Sequence, residues 1–236
     1  VLLYIQYLIL YDFQWRLRDD LTRILTEEEQ GWYKDCLKEM LSYMDDDLIC
    51  HLDKMYAEYK IYALSLKYGY DIRKELKYRK GSLYFNNIKI YSLQAKSLFT
   101  ADVLQIRDGV LHLSGRIWCP FAEDLTITIE NNRGDCYEVQ SKPAGFRKAV
   151  IFGEELVRVQ GYEVKLPLKG VKQFCVYGQY KDKYPQKLYI RVGKFSHLSQ
   201  EVPELYYHED GYMVSYDVEG ARICVRKKHA LPHLAK

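Results

Sequence analysis

Leu125-Thr126-Ile127-Thr128-Ile129-Glu130-Asn131-Asn132-Arg133-Gly134 alternates apolar and polar side chains and then breaks into turn-forming residues. A period of two marks a strand with one buried face, and Asn and Gly tolerate the backbone angles of a tight reversal. The stretch therefore predicts a strand joined through 131–134 to a second one over 136–140. The same pattern repeats on both sides. Asp108-Gly109 links strands at 103–107 and 110–118, and further strands fall at 148–152, 162–166, 173–180 and 187–192. Roughly seven short strands at about ten-residue spacing predict an immunoglobulin-like antiparallel β-sandwich over residues 98–192. Trp118 has no cysteine partners placed as in antibody domains, so the inference concerns architecture alone.

On the N-terminal side, Leu83-Tyr84-Phe85 and Ile88-Lys89-Ile90 flank Asn86-Asn87, a hairpin signal within a connecting segment at 81–97. On the C-terminal side, strands at 206–208, 212–217 and 221–226, joined by Asp210-Gly211 and Glu219-Gly220, predict a small β tail over 193–236 that leads toward a further domain.

Residues 1–80 change period to 3.6 and predict helices, so the fold class is α+β and multidomain. The first helix spans about 1–18, apolar nearly all round and then amphipathic through Leu10, Phe13 and Leu17. Such a helix requires cover on most of its surface, which points to an upstream partner domain. Thr26-Glu27-Glu28-Glu29 is a capping box that starts a helix at Glu27, with Trp32, Cys36, Leu37, Met40, Leu41 and Met44 on its apolar stripe. Asp45-Asp46-Asp47 follows. Consecutive helical residues point about 100° apart and do not converge on one cation, so these aspartates are expected to cap a short helix. A helix over about 54–68 buries Met55, Tyr59, Tyr62 and Leu66 and stops at Gly69. The basic stretch 71–80 is expected to be a solvated connector.

Composition excludes several classes. A net charge of +3 on 35 basic and 32 acidic residues gives no field suited to nucleic acid. The six cysteines lie far apart without a C-x-x-C pair, which favours reduced thiols and a cytoplasmic setting over a zinc site or a disulfide framework. The opening run 1–11 is shorter than the roughly 18 residues of a membrane span and lacks the marks of a signal peptide. No transmembrane segment is expected. The absence of an initial methionine suggests excision from a longer protein.

Phosphate loops, nucleophile elbows and zinc-peptidase spacings do not occur, and the six histidines are scattered. His112 has the strand position of a surface or satisfied core residue, and Glu123-Asp124 and Glu154-Glu155 fit turns. No catalytic and no metal-binding residue is assigned. The 23 tyrosines permit sugar stacking, for which Tyr206, Tyr207, Tyr212 and Tyr216 are candidates, although cross-strand packing also favours tyrosine.

Three stretches carry a family resemblance: Tyr11-Asp12-Phe13-Gln14-Trp15-Arg16-Leu17, Tyr43-Met44-Asp45-Asp46-Asp47-Leu48-Ile49 and Ala63-Leu64-Ser65-Leu66-Lys67-Tyr68-Gly69. Together with Gly193-Lys194-Phe195-Ser196, Tyr206-Tyr207 and Asp210-Gly211-Tyr212, they resemble the region after the catalytic domain in family 2 glycosyltransferases of Gram-positive bacteria that build teichoic-acid-like or capsular polymers. The resemblance covers most of the chain. It implies that residues 1–80 complete an upstream catalytic domain, which would hold the divalent metal and the nucleotide-sugar. Gln14, Trp15 and Arg16 are the candidate substrate contacts, since arginine clamps pyrophosphate and tryptophan stacks on a sugar or base.

The function this implies is a non-catalytic accessory or linker portion of such an enzyme, serving domain spacing, acceptor-polymer holding or self-association. Its partners would be an upstream catalytic domain, a downstream domain, a second copy or an anionic glycopolymer, at a cytoplasmic location that leaves peripheral attachment to the inner membrane face open. The alternative is a free-standing carbohydrate-binding β-sandwich module, which predicts a concave aromatic face, whereas a pure linker predicts flat, charged ones.

Overall fold

The computed structural model describes residues 2–18, 24–53, 55–95, 98–193 and 205–227, with the side chains of 18, 145–148 and 205–208 outside the description. The chain divides into two compact units. One holds residues 1–92 with the hairpin segment 146–158, and the other holds 93–145 with 159–236.

The first unit contains α1 (Leu3–Arg18), α2 (Glu27–Ser42), α3 (Asp46–His51) and α4 (Ala57–Tyr68). The capping box forms: Thr26 Oγ1 accepts from the Glu29 amide at 3.3 Å, and the Glu29 carboxylate takes the Thr26 amide at 2.8 Å. Those bonds hold the Glu29 carboxyl below its ordinary range. The expected α2 stripe is kept at Leu37, Leu41 and Met44, which are buried. Trp32 departs from it and is 69% exposed. The adjacent Tyr33 instead meets Phe152, with ring centroids 5.8 Å apart, while Lys34 pairs with Glu154 at 2.5 Å. α4 buries Tyr59, Ile61, Tyr62, Ala63 and Leu64 on more than one face, and Gly69 ends it in the left-handed region at φ 76°.

The charged connector folds rather than trailing through solvent. Asp71 caps a 3₁₀ turn over Ile72–Glu75 by accepting from the Arg73 amide, and β1 (Lys77–Arg79) then pairs with β2 (Ser82–Phe85). β2 pairs in turn with β3 (Ile88–Ser92) across Asn86 and Asn87, both at positive φ, so the expected hairpin becomes a three-stranded sheet packed on α3 and α4. β1 carries charge at both exposed positions, which hid its alternation.

The second unit is a β-sandwich of two mostly antiparallel sheets, from which the β8–β9 hairpin end at 146–158 is counted with the first unit. The first has the order β12-β4-β5-β9-β8, built from β4 (Phe99–Arg107), β5 (Val110–Ile117), β8 (Ser141–Ile151), β9 (Glu154–Pro167) and β12 (Ile190–Val192), with β12 joining β4 in parallel. The second has the order β13-β14-β15-β10-β6-β7, from β6 (Leu125–Asn131), β7 (Cys136–Glu138), β10 (Gln173–Tyr180), β13 (Leu205–Glu209), β14 (Tyr212–Asp217) and β15 (Arg222–Lys227), with β11 (Gln186–Leu188) also on β10.

Three details refine the strand reading. The expected strand at 187–192 is two strands, Leu188 serving one sheet and Ile190 the other. The strands expected at 148–152 and 162–166 are the ends of a long hairpin turning at Phe152 and Gly153, φ 49° and 73°. The tail strands extend the β10 sheet through β15, and the Tyr216 hydroxyl accepts the Ile190 amide at 2.9 Å. Close packing at the β4–β5 bulge depends on Gly115, where an added Cβ would lie 1.9 Å from the Thr100 carbonyl oxygen and 2.9 Å from the Tyr162 hydroxyl. All six cysteines are described and none is in a disulfide.

Candidate functional site

The surface of the first unit offers two features: an aromatic face on α1 and an acidic cleft beside α3. α1 has a period of 3.6, so residues four apart share a face. Gln6, Leu10, Phe13, Gln14 and Leu17 fill its buried side. Its exposed surface carries Leu3, Tyr4, Ile5, Tyr7, Leu8, Tyr11 and Trp15, each at least 40% exposed. The rings form a continuous ladder: Tyr7 and Tyr11 stack at 6.2 Å and 22°, and Tyr11 meets Trp15 edge-on at 6.3 Å and 75°. On its flank the Arg16 guanidinium donates to the Asp12 carboxylate at 2.7 Å, which raises the arginine pKa.

The cleft, of about 630 Å³, is lined by Leu3, Asp45, Asp46, Asp47, Leu48, His51 and Lys67. Its groups are tied to one another. Asp46 accepts from Lys67 Nζ at 2.7 Å and from the Tyr68 hydroxyl at 2.5 Å, and that hydrogen bond pushes the Tyr68 pKa up to about 12. Lys67 also donates to the Met44 carbonyl. Asp45 sits at the N-cap of α3 without a side-chain cap bond and is engaged by Gln6 instead; Asp47 pairs with His51 at 3.3 Å. Among the described residues, no group of three or more His, Cys, Asp or Glu side chains is arranged to hold a metal ion. Below the cleft, burial raises the Cys50 pKa to about 12 and lowers that of Lys60, whose Nζ donates to the Cys50 carbonyl.

The three proposed substrate contacts on α1 diverge. Gln14 is fully buried with neither amide atom hydrogen-bonded, whereas Trp15 and Arg16 lie on the surface. Trp15 and Arg16 are thus brought to the ladder and Gln14 is not. Of the tyrosine candidates, Tyr206 and Tyr207 are placed only by backbone register, opposite Ser215 and Val214, and their side chains lie outside the described ones. Tyr212 is half-buried, near Gly109. Tyr216 is buried. The sequence reading passed over Tyr4, Tyr7 and Tyr11 as stacking residues, although their spacing with Trp15, three, four and four residues, was the available signal.

No family model matches the chain. It is similar to the minor teichoic acid biosynthesis protein GgaB of Bacillus subtilis (strain 168), at 23% identity over 231 residues covering 91% of this chain and 25% of that protein. The chain thus spans about a quarter of the relative's length. No helix among the described residues is long and apolar enough to cross a membrane.

Proposed function

We propose that this chain is a non-catalytic accessory and linker portion of a bacterial glycosyltransferase that builds cell-wall or capsular polymer. The observation that carries the reading is the reach of the similarity: nearly the whole chain aligns with one quarter of a much longer teichoic acid biosynthesis protein. A helical unit followed along the chain by a β-sandwich suits domain spacing and the holding of an acceptor polymer. Donor activation, with its nucleotide-sugar and divalent metal, then belongs to a separate catalytic domain at the cytoplasmic face of the membrane.

Two features of the molecule support this reading. In the cleft the carboxylates are already bound to Gln6, Lys67, Tyr68 and His51, which suits holding helices together. On the sandwich, the alternate positions of β6 and β10 that carry its half-buried and exposed side chains hold Thr126, Thr128, Glu130, Gln173, Tyr177 and Gln179 together with the buried Cys175, a mostly polar row with one ring. A row of that kind fits a spacer better than a free-standing carbohydrate-binding module. In cells whose gene lacks the segment encoding these residues, wall polymer should change in amount or length; unchanged polymer would count against the proposal.

A further inference from the structure

We infer that the outer face of the three-stranded sheet β1-β2-β3 binds the phosphodiester groups of an anionic polymer, with Lys77, Arg79 and Lys89 as the phosphate contacts. The inference deepens the polymer-holding reading above and rests on it for the choice of polymer.

Register sets the three cations on one face. Lys77 lies opposite Tyr84 on the central strand, and Tyr84 lies opposite Lys89 on the third, so the row Lys77–Tyr84–Lys89 crosses the whole sheet. Directly paired residues share a face, and Arg79, two residues beyond Lys77, shares it as well. The other face is buried through Leu83 and Phe85, with Phe85 edge-on to Tyr68 of α4 at 5.4 Å. Lys77, Arg79 and Lys89 are exposed, as is Lys80 in the turn between β1 and β2.

Charge on this face is uncompensated. Residues 76–92 contain four cations and no carboxylate. The nearest acids in the chain are already engaged, Asp71 by Arg73 and Glu75 by the Tyr70 hydroxyl. Among the described residues, Lys77, Arg79, Lys80 and Lys89 have no ion-pair partner, whereas Lys34, Lys67, Arg116 and Arg222 are paired with Glu154, Asp46, Asp102 and Asp217. Like charges gathered on one small sheet repel one another, and a bound anion removes that cost.

Arg79 is held in place. Its guanidinium lies over the Tyr84 ring, 5.9 Å from the centroid, and donates to Asn87 Oδ1 at 3.1 Å. Both partners are neutral, so its charge and its remaining donors stay open to an oxyanion, which a guanidinium binds bidentately. Backbone to backbone, Lys77 and Arg79 are about 7 Å apart along β1, and Lys77 and Lys89 about 10 Å apart across the strands. Long side chains on that spacing can meet successive phosphates of one polymer.

Two other polyanionic partners fit less well. A nucleic acid adds base stacking on exposed rings, and Tyr84 is half-buried and capped by Arg79. A bilayer contact on a patch this narrow needs an apolar or aromatic side chain that enters the headgroup layer. Residues 71–92 are all described, and no large apolar side chain among them is exposed.

The test is a fluorescence-anisotropy titration of the purified chain into a labelled poly(glycerol phosphate) decamer. Saturable binding is expected, about twentyfold weaker at 200 mM than at 50 mM salt, the dependence of about three phosphate contacts on a flexible polyanion. Lys77→Gln/Arg79→Gln/Lys89→Gln should weaken binding by about tenfold or more at 50 mM and flatten the log–log salt slope by about 2. Lys165→Gln/Lys169→Gln/Lys172→Gln removes three exposed charges from the sandwich and should leave binding unchanged. Circular dichroism checks folding, and the milder Lys77→Gln/Lys89→Gln, which spares the Arg79 hydrogen bond, should flatten the slope by about 1. The inference is overturned if the decamer does not bind at 50 mM salt, if the sheet variants bind like the parent, or if the sandwich variant loses as much as the sheet variant. It is also overturned if a single-stranded oligonucleotide, or vesicles of phosphatidylglycerol and phosphatidylcholine, bind more tightly than the decamer at equal phosphate concentration. None of these outcomes bears on wall polymer in the deletion cells or on sugar transfer, so this face can fail while the accessory reading stands. Binding that persists beside unchanged wall polymer would sink that reading and keep the face.

Discussion

Gln6 and Asp45 hold each other from both sides: the Asp45 amide donates to Gln6 Oε1 at 2.8 Å, and Gln6 Nε2 donates to Asp45 Oδ2 at 3.2 Å. The pair fastens α1 to the start of α3, so the orientation of the aromatic ladder is set partly by a side chain on the opposite face of its own helix. Gln6→Ala removes both bonds and leaves the amide to water. A loss of about 1 kcal/mol is expected, read as a lower urea midpoint; an unchanged midpoint would mean that apolar packing alone holds α1.

Gln14 presents the opposite case. It is fully buried with both amide atoms unbonded, which carries the cost of desolvation with no compensating bond. Gln14→Leu keeps most of the volume and removes the polar atoms, and it should raise stability by about 1–3 kcal/mol. Destabilisation would show that an ordered water or a partner group satisfies the amide.

Two glycines give opposite signs. Gly31 lies inside α2 with no atom within 4 Å of an added Cβ, so Gly31→Ala should stabilise by about 0.5–1 kcal/mol through helix propensity. Gly115→Ala places a methyl 1.9 Å from the Thr100 oxygen and forces the β4–β5 bulge apart. A loss of more than about 3 kcal/mol is expected, measured by thermal unfolding monitored at Trp118. Equal effects at the two sites would contradict the packing described for the bulge.

Alkaline pH should weaken the first unit. Tyr68 and Cys50 both have pKa values raised to about 12, by the Asp46 hydrogen bond and by burial respectively. The folded state therefore favours their neutral forms. That contribution is complete below the ordinary values of 10 for tyrosine and 9 for cysteine and is lost as pH rises through about 12. Melting temperature should fall across pH 9–12, and less steeply in the Cys50→Ala, Tyr68→Phe double variant. An identical slope in parent and double variant would assign the effect to other groups.

How far the sequence reached depended on whether a signal was local. The Thr26 capping box, the Gly69 stop, the Asn86-Asn87 and Asp108-Gly109 turns and the strand over Gln173–Tyr180 are fixed by neighbours a few residues away, and each forms where its residues place it. Features set by distant contacts were hidden. Trp32 shares helical spacing with the α2 core yet faces solvent, because nothing in the local pattern says which edge of the stripe is covered. The split at Tyr189 depends on two sheets competing for six residues, and β15 joins β10 through pairing across about fifty residues. At the candidate site, Trp15 and Arg16 were legible as chemistry, whereas the burial of Gln14 follows from the packing of α1 and not from its neighbours in the chain.

The most direct test of the accessory reading is a transfer assay on the purified 236-residue chain, supplied with Mn²⁺, a set of nucleotide-activated sugars and a poly(glycerol phosphate) acceptor. The account predicts no sugar incorporated into polymer and no release of nucleotide above the enzyme-free rate. Donor-dependent incorporation that scales with the concentration of the chain would contradict it.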